Sequence, residues 1–212
     1  MRCRFIILLL IVLGCGRVQA RPDVDSIRVY FHHGYSTLDL SLRHNGRTLD
    51  DFIKRLHAFS SDSTRHLISF SVEGNTSPDG TSEANLRLSE QRAERVLEYI
   101  RSRVELPEQL VSVTADGIDW DALAGMVRHD ESVPAREEVL DILQNTPVWV
   151  YDENHRIIDG RKKQLMEVQG GRVYRLLEER YFAELRNCTI ELCYTRDTLR
   201  ETGNPNFTPP PF

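Results

Sequence analysis

The chain has 212 residues, 40% hydrophobic and 28% charged, with a formal net charge of −5. That length and apolar content support a sizeable core in one or two domains. The acidic balance and dispersed arginines argue against a nucleic-acid binder. Beyond the N-terminus there is no second long apolar run for a membrane helix and no series of alternating strands for a transmembrane barrel.

Residues 1–20 read as a signal peptide. Arg2 and Arg4 precede an apolar stretch from Phe5 to Leu13, which is too short for a stable membrane anchor. Val18-Gln19-Ala20 fits signal peptidase I, giving a chain that starts at Arg21 with a charge of about −8. Val12-Leu13-Gly14-Cys15 resembles a lipobox, which would make Cys15 a lipidated terminus. Cleavage after Ala20 is favoured and the lipid anchor stays open; both endings imply export.

Ile27 to Phe31 reads as the first strand. His32-His33 has no third metal ligand at a useful spacing and reads as a polar strand end. Gly34 to Leu42 is a loop, and Asn45-Gly46-Arg47 marks a turn. Leu49, Phe52, Ile53, Leu56 and Phe59 then give a helix of about three turns. In the next strand Ile68, Phe70 and Val72 alternate with Ser69, Ser71 and Glu73, and Gly74 ends it. Pro78-Asp79-Gly80 is turn chemistry. A second helix starts at Thr81 or Ser82 as N-cap and carries Leu86, Ala93, Val96, Leu97, Ile100 and Val104 on its apolar stripe. Asn85, Ser89 and Arg92 fall on one line beside that stripe, partly shielded yet able to reach a ligand. A strand-to-helix loop with free N–H groups and a nearby arginine suits a carboxylate.

Val111 to Ala115 is a third strand. About seventy residues then precede the last strand, Cys188 to Tyr194. Trp120, Leu123 and Met126 suggest a short helix after Asp119. Pro134 followed by Val139, Leu140, Ile142 and Leu143 suggests another, and Val173 to Leu177 a further one after Gly170-Gly171. Arg161-Lys162-Lys163 reads as a solvated helix start rather than an anion site. Trp120 and Trp149 read as core aromatics rather than sugar platforms. Cys188 and Cys193 sit on opposite faces of one strand, roughly 16 Å apart, which excludes a disulfide between them. Neither has metal-site spacing. Residues 196–212, ending NPNFTPPPF, read as a disordered tail.

One gapless stretch carries a resemblance. Gly74, Thr76, Gly80, Asn85, Leu88, Ser89, Arg92, Ala93 and Val96 match, in register, the signature of the OmpA-like peptidoglycan-binding family. Gly160-Arg161-Lys162, Gly170-Gly171 and Glu184-Leu185-Arg186 resemble longer members that carry a Ser-Pro-acid-Gly turn. The resemblance implies an α/β (α+β) fold, with strand–helix–strand–helix–strand, inserted helices and a final strand, the helices on one face of a mixed sheet. Residues 21–195 would form this domain, with the helical insert at about 118–186. A right-handed crossover joins the strands of Ile27 and Ile68 if they pair in parallel. The resemblance also implies ligand-binding residues Thr76, Ser77, Asp79, Asn85 and Arg92. The family's ligand is the diaminopimelate of the peptidoglycan stem peptide, its carboxylate held by the arginine and its ammonium by an aspartate. This chain has Ser77 at the aspartate's place. Asp79 either substitutes for it or only stabilises the turn.

The resemblance further implies a non-catalytic envelope protein of a Gram-negative bacterium, in the periplasm or on the periplasmic face of the outer membrane. It would bind peptidoglycan and tether the outer membrane or an envelope complex to the wall, with membrane contact only through Cys15 or a partner. No cofactor or metal is implied. No HExxH, GxSxG, P-loop or Rossmann pattern is present, so no enzyme is expected. A wall hydrolase using carboxylates of the insert is the catalytic alternative. The other is a scaffold that has lost wall binding and joins envelope proteins instead.

Overall fold

The computed structural model describes residues 22–197. The expected leader, the Cys15 alternative and the tail from residue 198 lie outside the described residues. The first part of the chain is β1 (Asp23–Tyr30), α1 (Asn45–Ser60), β2 (Arg65–Thr76), α2 (Ser82–Arg101) and β3 (Val111–Ile118). The insert follows as α3 (Trp120–His129), α4 (Arg136–Asn145), a small hairpin of β4 (Val150–Tyr151) and β5 (Ile157–Asp159), α5 (Arg161–Glu167) and α6 (Arg172–Leu185). The last strand, β6 (Asn187–Arg196), closes the main sheet. This is the expected α/β architecture.

The sheet order is β1-β6-β2-β3. β6 runs antiparallel to both β1 and β2, and β2 pairs in parallel with β3. Val72 faces Ile190 and Phe70 faces Leu192. Because β6 lies between β1 and β2, these two do not pair, so the crossover expected between them is absent; the parallel unit of the sheet is β2–α2–β3. Alternation places Phe70, Val72, Ile190 and Leu192 on the helix-covered face, where they pack with Leu49, Phe52 and Leu56 of α1 and Ala93, Val96 and Ile100 of α2. Ser69, Ser71, Glu73 and Glu191 take the polar opposite face.

Four local expectations are corrected. Asn45-Gly46-Arg47 is the first turn of α1, not a separate turn. Buried Asn45 there bonds the N–H and C=O of Tyr30 and the C=O of Asp39, tying the helix start to β1. Ile68 is 42% exposed, because a bulge between Leu67 and Ser69 breaks the alternation against β6. β2 continues past Gly74 to Thr76 through a second irregularity against β3. Leu86 is 44% exposed: the inward positions of the first turns of α2 are taken by Asn85 and Ser89, so the apolar stripe begins only at Ala93.

The insert has a core of its own. Trp120, Leu123 and Val127 of α3, Val139 and Leu143 of α4, Leu165 of α5, and Val173, Leu177 and Phe182 of α6 are buried together, apart from the sheet's core. Trp120 is thus a core aromatic, as expected, with Arg161 over its ring. Cys188 is buried, Cys193 is half-buried, and both are free.

Candidate functional site

Gly74 lets β2 and α2 approach closely. A Cβ there would lie 2.0 Å from the Ser89 carbonyl oxygen, a backbone atom that cannot swing aside. Ser89 completes the junction, accepting from Gly117 N of β3 at 3.2 Å and donating to Leu86 O. Thr81 caps α2, accepting from Ala84 N at 3.2 Å. The strand end, loop and first turns of α2 thereby frame a cleft of about 340 Å³. Thr76, Ser77, Asp79, Asn85 and Arg92 all line it.

These side chains sit deeper than the sequence suggests. Arg92 is only 1% exposed and Asn85 5%. The β1–α1 connection folds over Arg92, whose Nε donates to Tyr35 O (3.0 Å) and Nη2 to His32 O (3.1 Å); Nη1 donates to Asn75 O (2.7 Å). Phe31 lies 5.1 Å from the guanidinium. A guanidinium has five N–H groups, so one on each Nη is left. Arg92 meets no carboxylate among the described residues. Burial, aided by the field of Arg186, lowers its pKa to about 10.

Asn85 holds the loop rather than presenting its amide outward: Nδ2 donates to Asp79 O at 2.6 Å. Ser77 Oγ donates to Asp79 Oδ2 at 2.6 Å. The same Oδ2 accepts from Arg186 Nη2 at 3.1 Å, while Arg186 Nε donates to Ser77 Oγ at 3.1 Å and His33 Nε2 stands 3.5 Å from Oδ2. Thr76 Oγ1 is buried and has no hydrogen-bond partner among the described residues. The N–H groups of Ser77, Asp79 and Gly80 donate to no backbone acceptor among the described residues.

The insert fastens this loop from outside. Lys162 Nζ donates to Gly80 O (2.8 Å) and the Tyr174 hydroxyl to Pro78 O (3.1 Å), alongside the Arg186 pair. Lys162 is therefore not a merely solvated helix start. Arg186, Tyr174 and Lys162 were missed as site residues by sequence reasoning; the Gly160-Arg161-Lys162 and Glu184-Leu185-Arg186 patterns were the visible traces of Lys162 and Arg186. Among the described residues no group of three or more His, Cys, Asp or Glu could hold a metal, and no helix is long and apolar enough to cross a membrane.

No protein-family model and no curated protein matches the chain. Solved structures to which it is similar are OmpA-like domains. The peptidoglycan-associated lipoprotein from Burkholderia pseudomallei is 17% identical, over 79% of this chain and 89% of that one, with a TM-score of 0.39. The OmpA-like domain of FopA1 from Francisella tularensis subsp. tularensis SCHU S4 is 11% identical, over 82% and 75%, with a TM-score of 0.42. The periplasmic domain of Helicobacter pylori MotB is 10% identical, over 82% and 83%, with a TM-score of 0.36.

Proposed function

We propose that the chain is a non-catalytic protein of the cell envelope that binds peptidoglycan through a stem-peptide carboxylate, diaminopimelate being the residue the family resemblance implies. One observation carries this reading: Arg92 is a buried cation lining a cleft, with no carboxylate paired to it among the described residues. Buried charges are ordinarily paired. A ligand carboxylate on the two remaining Nη N–H groups would supply the missing partner and make a charge-assisted, bidentate contact. The motif register and the unpartnered Thr76 hydroxyl support the same cleft. Export, periplasmic location and tethering of the outer membrane or an envelope complex complete the proposal.

Charged hydrogen bonds contribute about 1.5–3 kcal/mol, so Arg92→Ala is expected to weaken co-sedimentation with purified peptidoglycan roughly 10- to 150-fold. Because Arg92 also holds three carbonyls, circular dichroism must show that the variant is folded. Arg92→Lys keeps the charge and is expected to recover only part of the binding. Equal binding by folded Arg92→Ala would sink the assignment. Release of soluble wall fragments would favour the hydrolase alternative. The adaptor reading draws on the engagement of Asp79 by Arg186 and on the insert's separate core. It predicts that the wild type does not bind the wall.

A further inference from the structure

We infer that the cleft selects a carboxylate whose neighbouring amine is absent or acylated, and that Arg186 sets this preference. The inference rests on the reading of the Arg92 cleft as the ligand site. It departs from the expectation that the cleft also receives an ammonium.

Charge is the first ground. The one carboxylate lining the cleft, Asp79, is already neutralised. Its Oδ2 takes the Ser77 hydroxyl and the Arg186 guanidinium, and the pair is shielded, with side-chain exposures of 18% and 17%. Arg186 also lies close enough to Arg92 to depress its pKa. Arg87 and Arg92 line the same cleft, and Lys162 is fixed on Gly80 O at its rim. An entering ammonium would therefore meet Arg92 and Arg87 in the lining and feel the charges of Arg186 and Lys162 behind the loop, with only an occupied carboxylate to offset them. Like charges in a partly desolvated site repel strongly.

The second ground is geometry. At the aspartate position of the resemblance the chain offers Ser77, whose hydroxyl proton is committed to Asp79 and whose oxygen accepts from Arg186. Ser77 is 3% exposed and cannot turn outward without breaking both bonds. What the cleft does offer is suited to an anion: the Nη N–H groups of Arg92 and the unpartnered, buried Thr76 hydroxyl.

Arg186 supplies the discrimination without touching the ligand, so it is a positioning residue. It comes from the link between α6 and β6, and it turns an acidic half-site into part of a turn. In a stem peptide the chemistry that fits is a carboxylate beside an amide nitrogen, as arises when a diaminopimelate amine is acylated by cross-linking. A free zwitterionic end fits poorly.

The test uses two small probes with the same seven-carbon diacid skeleton, pimelate and meso-diaminopimelate, titrated calorimetrically into the whole protein at pH 7. The expected result is that pimelate binds at least tenfold more tightly. Arg186→Gln, which frees Asp79, is expected to bring that ratio to one or below, and Arg186→Lys, which keeps the charge, to preserve it. A loss of folding alone cannot move the ratio in this direction. The inference is overturned if wild type binds diaminopimelate as tightly as pimelate, or if folded Arg186→Gln leaves the ratio unchanged. Peptidoglycan co-sedimentation of wild type and Arg92→Ala separates the two levels. Arg92-dependent wall binding with a preference for diaminopimelate overturns the charge selection and leaves the wall reading standing. No binding of either probe, together with no wall binding, overturns both.

Discussion

The sheet with its two covering helices and the helical insert bury their apolar residues in different ways. In the first, helix and strand backbones meet closely at Gly74 and Ser89, and the packed face runs across four strands. In the second, short helices surround Leu177 and Phe182 with little sheet to lean on. Polar groups, Arg186, Tyr174 and Lys162, reach from the second region to the loop that borders the cleft. Arg43–Glu184 adds a further ion pair between them, half-exposed and so of small value. The lesson is that one core builds the cleft and the other holds its rim.

This division can be broken by truncating Phe182, which is fully buried in the insert. Phe182→Ala is expected to cost about 3–5 kcal/mol. Hydrogen exchange should quicken in α3 to α6 and in the Ser77–Gly80 loop while the centres of β2 and β6 stay protected. Uniform loss of protection would show that the two cores melt as one. Gly74→Ala attacks the other region. Its Cβ meets backbone at 2.0 Å, so the expected cost is about 3 kcal/mol, read as a lowered midpoint in urea, with protection lost in β2 and α2 first. Tyr174→Phe removes only the bond to Pro78 O. About 1 kcal/mol is expected, with faster exchange confined to the loop.

The smallest effect expected is a slope. Burial raises the Cys188 thiol pKa from its ordinary 9 to about 12. The unfolded chain gives up that proton first, so the contribution of Cys188 is intact below pH 9 and is lost as pH rises towards 12. Stability measured from pH 8 to 11 should fall more steeply for wild type than for Cys188→Ala. The same burial should leave Cys188 unlabelled by iodoacetamide at pH 8 in the native protein while half-buried Cys193 reacts.

Apolar spacing made α1, α2 and most of the insert helices legible, because each puts one stripe inward. Thr76, Gly80, Asn85 and Arg92 of the motif were legible as a set, and they line one cleft. The depth of Arg92 was not. Its position beside the stripe implied partial shielding, but the burial comes from residues 32–35 folding across it, a contact no helical period contains. Nor could spacing reveal Arg186, whose partner Asp79 lies 107 residues away. Asp79 itself was left open between turn and ligand roles, and its Oδ2 is spent on the turn and Arg186. The β4–β5 hairpin, with strands of two and three residues, is too short to show an alternation.

The place of β6 has a consequence for how the molecule comes into being. This strand is made after the rest of the described chain, yet it is the one that joins β1 to β2 in the sheet. Until it emerges, β1 has no neighbour and the inner edge of β2 stays open, so the sheet cannot form its middle during synthesis. Closure then requires contacts between segments separated by most of the sequence, which slows folding and keeps the nascent chain loose. A ribosome stalled before Asn187 would carry β2 and β3 able to pair, but a β1 with no strand beside it.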